Sequence, residues 1–244
     1  MLLTRLFSAP TLNFFTSFAE QFEKTFIRDN RYQYFLKGLG YTVLIAIAAT
    51  LCGVLIGIIV AVTKVYHKQT GKLKFLNSIF EIYTTVIRGT PVVVQLLIIY
   101  NIVFASSNSA VLVGIFTFSI NSGAYVSEII RAGIMAVDPG QTEAGRSLGL
   151  PQSTTMFSIV MPQALKNVLP ALGNEFIALL KETSVIGYIG IIDLTKASEM
   201  VSSRTAIVYF PYISIALIYL AMVYGLAALF KKIERRMAKS DRNG

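Results

Sequence analysis

GLGYTVLIAIAATLCGVLIGIIVAVT, residues 38–63, contains no charged side chain in 26 positions. The hydrocarbon core of a bilayer is about 30 Å thick, and at a rise of about 1.5 Å per residue roughly 20 apolar residues of helix cross it. The stretch is therefore long enough to span. Two further runs share its character: Gly89 to Ser127 is charge-free over 39 residues and Thr205 to Phe230 over 26. The longer run accommodates two crossings, with Ala105-Ser106-Ser107-Asn108-Ser109 as the turn between them. A fifth candidate, Val168 to Ile192, is apolar but interrupted by Glu175, Lys181 and Glu182. The expectation is an all-α membrane protein with five transmembrane helices.

Composition agrees with that reading. Of 244 residues, 54% are hydrophobic and 14% charged, and the mean hydropathy is +0.62. Soluble domains average about 25% charged, so the apolar surplus must meet lipid. With 22 basic against 13 acidic residues the chain carries +9. A single cysteine, Cys52, and a single histidine, His67, exclude an internal disulfide framework and a multi-histidine metal site, so no metal is expected. Gly71-Lys72 is followed by Leu73 and no phosphate-cradling G-x-x-x-x-G-K-[ST] occurs. No cofactor is expected on this chain; any ATP and Mg would be handled by another subunit.

Lys and Arg near span ends mark the cytoplasmic side. Lys64, Lys68, Lys72 and Lys74, then Arg131, Arg146 and Lys166, then six basic residues of the tail from Lys231 to Arg242, place 13 on one side. The other side has seven: Arg5, Lys24, Arg28, Arg31, Lys37, Lys196 and Arg204. The N-terminus is thus expected outside and the C-terminus inside. This divides the chain into an external or interfacial amphipathic segment (1–37), a membrane domain (38–235) and a basic cytoplasmic tail (236–244).

Within the first segment Phe15, Phe18, Phe22 and Phe26 form one helical stripe. It fits a helix lying in the outer headgroup region, and equally one packed on other helices of the same protein. Residues 75–87 are also amphipathic: Phe75, Leu76, Ile79, Phe80, Tyr83, Val86 and Ile87 share one face, Asn77, Ser78, Glu81, Thr84 and Thr85 the other. They read as an elbow helix on the inside. Arg88-Gly89-Thr90-Pro91 breaks it, because proline disfavours helix at the residue before and can open the next one.

From Arg131 to Lys166 the chain is expected to stay cytoplasmic. Asp138-Pro139-Gly140-Gln141 offers a capping carboxylate and a proline in the first turn, Gly149 offers a stop, Pro151 starts a second short helix and Pro162 interrupts again. Two short helices would form a knob, a coupling loop at about 135–165; a folded loop that merely caps helix ends has the same outline.

Glu143-Ala144-Gly145, Gly149 and Ile159-Val160-Met161-Pro162 stand at the spacing E-A-A-x3-G-x9-I-x-L-P. This resembles the EAA loop of ABC importer permeases, Gly145 replacing the second alanine and Met161 the leucine. Arg88-Gly89-Thr90-Pro91, the segment Gly123 to Arg131, Asn174-Glu175-Phe176 and Lys181-Glu182-Thr183-Ser184 further resemble the branch that imports polar amino acids. The resemblance covers about residues 35–235. It implies a type I importer fold in a bacterial cytoplasmic membrane, two permease subunits (homo- or heterodimeric), two ABC ATPase subunits docked below, a substrate-binding protein outside, and no nucleic acid. It also implies that Glu143, Ala144, Gly145, Gly149, Ile159 and Pro162 couple to the ATPase.

Ionisable groups at membrane depth face cavities, partners or each other. Glu128 and Arg131, three apart on one helix, read most simply as an intrahelical pair. Lys181 and Glu182 fall near the middle of the fourth expected span. Together with Asn121, Ser122, Thr183 and Ser184 they could meet both charges of an amino acid, and helix packing or a subunit contact would use the same polarity. Gly53 and Gly57, four apart, suit close helix packing. The competing readings are a secondary transporter, which would show internal repeats, and a channel for small polar solutes, which would leave the long loop unused.

Overall fold

The computed structural model describes residues 17–240, with side chains as far as residue 237. The first 16 residues, Phe15 among them, and tail residues 241–244 lie outside the described part. Among the described residues regular structure is helical throughout. A short helix α1 (17–22) runs through a π turn at Glu23–Ile27, and the chain reverses at Asp29 and Asn30, both with positive φ. The long α2 (Tyr32–Thr70) follows. Next come α3 (Lys74–Gly89), α4 (Val92–Ile98, extended by a π turn at Ile99–Val103), α5 (Ala110–Met135) and α6 (Pro139–Ser147). The remaining helices are α7 (Gln152–Thr155), α8 (Met161–Glu182), α9 (Leu194–Thr205) and α10 (Tyr209–Ser240).

Among the described residues three helices are long and apolar enough to cross a membrane: α2, α5 and α10 as far as Met237. The pair formed by α3 and α4 with its π turn qualifies together but is bent by 110°. The expected turn at 105–109 separates α4 from α5, whose first turn is capped by the Ser109 hydroxyl. At 39 residues α2 is about 58 Å long, so it projects beyond a hydrocarbon core. Its outward residues Leu51, Leu55 and Ile59 are exposed while Ile45, Ala46, Ala49 and Ala61 are fully buried.

The core is the seam between α2 and α5. A Cβ on Gly53 would stand 2.8 Å from Ser122 Cβ, and one on Gly57 would stand 2.5 Å from Val126 Cγ1. The two backbones approach because these positions have no side chain, the packing expected of that spacing. Around the seam, Leu96, Phe118, Leu179 and Ile186 complete one buried cluster.

Two boundaries differ from the sequence reading. The fourth expected span does not begin at Val168: helix α8 starts at Met161, with Pro162 in its first turn, and continues from α7 through a π turn at Met156–Val160. Pro162 does not end the helix: the chain is already helical before it, and the π turn at Met156–Val160 shifts the hydrogen-bond register immediately ahead of the proline. At the other end α8 stops at Glu182 and a 3-10 turn (Thr183–Ile189) follows, ending at left-handed Gly190. Lys181 and Glu182 therefore stand at the end of α8 and not near its middle, with Glu175 two turns further in.

The phenylalanine stripe packs on the protein. Phe18 meets Phe210 at 5.3 Å and Phe26 meets Phe35 at 4.9 Å between ring centroids, leaving Phe18 and Phe22 about half exposed.

Candidate functional site

At one end of the bundle α6 stands between the ends of α5 and α8. The Asp138 carboxylate accepts from Gly140 N at 2.9 Å, and Pro139 occupies the first turn, so the helix start matches its sequence signature. After Ser147 the chain turns through Gly149 at φ 73°, where Leu150 N donates to Gly145 O at 3.0 Å. Gly145 is buried: a Cβ there would lie 2.7 Å from Thr155 Cγ2. The glycine in place of the second alanine of the EAA spacing is thus matched by Thr155 across the turn. Glu143 and Ala144 are exposed, Leu148 is 79% exposed, Ile159 half-buried and Pro162 exposed. The knob is therefore one short helix plus the first turns of a continuous α7–α8 helix, not two separate short helices.

A charged cluster lies on the bundle side of this knob. Glu128 receives Arg131 at 2.7 Å and Lys64 at 2.9 Å, with Arg88 at 3.9 Å. Lys64 also donates to Thr84 Oγ1 at 2.8 Å and pairs with Glu81 at 3.4 Å. The expected Glu128–Arg131 pair is present. The burial of Lys64 is new, because a lysine counted as a loop charge turns out to hold α2, α3 and α5 together. The orientation of α3 follows: Thr84 faces the protein, whereas Phe75, Ile82 and Val86 are exposed.

The break at Arg88-Gly89-Thr90-Pro91 is braced from two sides. Gln95 Nε2 donates to Ile87 O at 2.7 Å and to Thr90 O at 3.0 Å, while Asn121 Nδ2 donates to Gln95 Oε1 at 3.2 Å. Arg88 stacks over Tyr125 at 5.4 Å. A side-chain amide thus supplies what the helix lost at the bend.

The six polar residues singled out from sequence fall into three places. Asn121 serves the bend. Thr183 is buried with its hydroxyl donating to Leu180 O at 2.8 Å. Lys181 and Ser184 border a cleft with Thr195, Tyr212 and Tyr219 between α8, α9 and α10. Ser122 and Glu182 belong with Glu175, whose carboxylate has the Glu182 carboxylate, the Ser122 hydroxyl and the Arg88 guanidinium around it. Asn121 Oδ1 is a buried acceptor without a hydrogen bond among the described residues. Glu175 is the site residue that span counting treated only as an interruption; its spacing of seven from Glu182 put both on one helix face.

At the opposite end α9 is capped by the fully buried Asp193, whose oxygens accept from Thr195 N at 3.0 Å and Lys196 N at 2.9 Å. Burial pushes this carboxyl above its ordinary value, and the two backbone N–H groups pull in the other direction.

Apolar helices, a polar strip along α8 and a glycine-terminated helix presented at one end define a membrane-transport subunit. The chain belongs to the family described as binding-protein-dependent transport system inner membrane component, which matches residues 53–239. It is 38% identical over 213 residues to a putative glutamine transport system permease protein, GlnP, of Rickettsia bellii, covering 85% of this chain and 94% of that one. The arginine transport system permease protein ArtQ of Bacillus subtilis is 35% identical over 211 residues, with the same coverage. Among solved structures, an amino acid ABC transporter crystallised with histidines superposes with a TM-score of 0.78 at 43% identity, over 84% of this chain and 94% of that one. The MetNI methionine ABC transporter shares the fold at a TM-score of 0.69 and 17% identity, covering 84% and 96%.

Proposed function

We propose that this chain forms the translocation path of an ATP-driven importer for polar amino acids in a bacterial cytoplasmic membrane. It crosses five times, by α2, the bent α3–α4 pair, α5, α8 and α10, with the N-terminus outside and the knob and tail inside. A second permease subunit pairs with it, two ABC ATPase subunits dock at the knob, and a binding protein delivers substrate at the α9 end. The chain performs no chemistry of its own; hydrolysis of ATP with Mg belongs to the partner. In this reading Glu143 and Leu148 face the ATPase, and Gly149 sets the angle at which they are presented. Closure of the ATPases moves the spans as bodies. Glu175 and Glu182 on one face of α8 with Ser122 of α5, and Lys181 with Ser184 of the following 3-10 turn on the other side, offer the acceptors and the cation that an amino acid zwitterion requires.

The observation that carries this reading is the exposed, capped and glycine-terminated α6, held at the EAA spacing in a chain of this family. Purification in mild detergent tests it. An ATPase subunit should co-purify, and hydrolysis in reconstituted vesicles should rise when a polar amino acid is delivered with its binding protein. Repeated purification without an ATPase would turn the assignment towards a secondary transporter or channel.

A further inference from the structure

Beside the knob, two hollows share a wall. One, of about 510 Å³, is bordered by Lys64, Lys68, Arg131 and Arg146 against a single acid, Glu143, over an apolar floor that includes Val137 and Val160. The other, of about 360 Å³, is bordered by Val62, Tyr66, Phe157 and Met161. Val65, Gln69, Ile134 and Met156 line both. Lys64 is committed to Glu128 and Glu81, and Arg131 to Glu128. Lys68 is not so committed: its Nζ reaches only the Met135 sulfur, at 3.8 Å. Among the described residues neither Lys68 nor Arg146 has a carboxylate partner.

We infer that the two hollows together bind one anionic phospholipid, its phosphate between Lys68 and Arg146 and an acyl chain along Val62, Ile134 and Phe157. Position supports this. Val62 lies one residue before the end of the charge-free run of α2 and Lys68 follows six residues later, about 9 Å along the axis, so the pair straddles the boundary between hydrocarbon and headgroups. Charge and shape narrow the occupant. A free anion would satisfy the cations and leave Phe157, 70% exposed, uncovered; a neutral lipid would cover Phe157 and leave the cations without a counterion. Basic pockets between helices at the cytoplasmic surface suit anionic headgroups. The shared wall includes Met156, in the π turn that joins the knob to α8, so the lipid would brace the joint on which coupling turns. The inference uses the inside placement of the knob argued above, and its test reads lipid binding without any transport step.

The sequence has no tryptophan, so Phe157→Trp supplies a single fluorescent reporter in the full-length subunit. In phosphatidylcholine micelles, added phosphatidylglycerol with brominated acyl chains should quench it saturably, and brominated phosphatidylcholine only weakly. Lys68→Gln with Arg146→Gln should weaken phosphatidylglycerol binding roughly tenfold or more, and Lys68→Arg with Arg146→Lys should restore it. Lys232→Gln with Arg235→Gln should leave it unchanged. Equal quenching by both lipids, or full displacement by millimolar inorganic phosphate, would overturn the inference. An unchanged affinity in the Gln pair, or an equal loss in the tail pair, would do the same. The comparison of lipids on the reporter protein decides the matter even where the Gln pair does not fold.

Discussion

At the scale of single residues, Gly149 shows how a backbone constraint can be separated from a packing one. Its φ is 73° and a Cβ there would meet nothing within 4 Å, so a replacement suffers from conformation alone. Gly149→Val should cost about 1 kcal/mol or more in the local turn and leave a membrane-inserted subunit that has lost ATPase binding or substrate-stimulated hydrolysis. Gly149→Asn, which tolerates the left-handed region, should retain most of both. Equal behaviour of the two variants in co-purification and hydrolysis assays would remove the turn from the coupling argument. The α8 carboxylates make a second residue-scale case. In the substrate role proposed above, Glu175→Gln and Glu182→Gln would each remove one charge-assisted hydrogen bond to the amino acid, worth about 1.5–3 kcal/mol, so vesicle uptake should fall roughly tenfold or more with the ATPase still bound. Because Glu175 lies two turns deeper than Glu182, its substitution should be the more severe. Normal uptake kinetics in either variant would assign that residue to packing.

At the scale of elements, the Lys64 node decides how α2, α3 and α5 are held. The Lys64 side chain is 3% exposed, and Glu128 keeps Arg131 when Lys64 is lost. Lys64→Met should therefore lower stability by less than the roughly 3–5 kcal/mol of a buried pair broken outright. Glu128→Leu, which strands Lys64 beside a partly exposed Glu81, should be the worse substitution. Thermal unfolding of the detergent-solubilised subunit would rank them, and the reverse order would contradict the network described.

This node also marks where sequence reading ends. The three long apolar helices α2, α5 and α10 were legible because the cost of burying charge in lipid leaves long charge-free runs, and the start of α6 and the Gly149 stop because caps and left-handed turns have short-range signatures. Which way α3 faces, and that Lys64 is interior, depend on Glu128, 64 positions away, and no local pattern encodes that distance. The start of α8 was misplaced for a related reason. Pro162 reads as a breaker wherever the preceding turn is not known to be helical already. Polar residues were recognisable as a set, but their division between the bend, the backbone and the α8 face is a matter of packing.

At the scale of the molecule, the arrangement of termini and loops is open to direct measurement. On a Cys52→Ser background, Ser107→Cys in the turn before α5 should react with an impermeant thiol reagent added outside intact cells. Thr70→Cys at the end of α2 should react only after permeabilisation. Reversed accessibility would invert the whole arrangement, knob and tail included.

The length of α2 has a mechanical meaning. Near one end Thr42 accepts from Leu194 N at 3.4 Å and Gly38 abuts Asp193; near the other Gln69 accepts from Gln152 at 3.1 Å. One unbroken rod of about 58 Å therefore touches both the α9 cap and the base of the knob. Were it to pivot at its glycine-lined middle, such a rod would act as a rocker. A tilt of about 10° would carry each tip about 5 Å, in opposite directions. News of what has arrived at one surface can then reach the other through a single stiff member, alongside the conduit and independent of whatever occupies it.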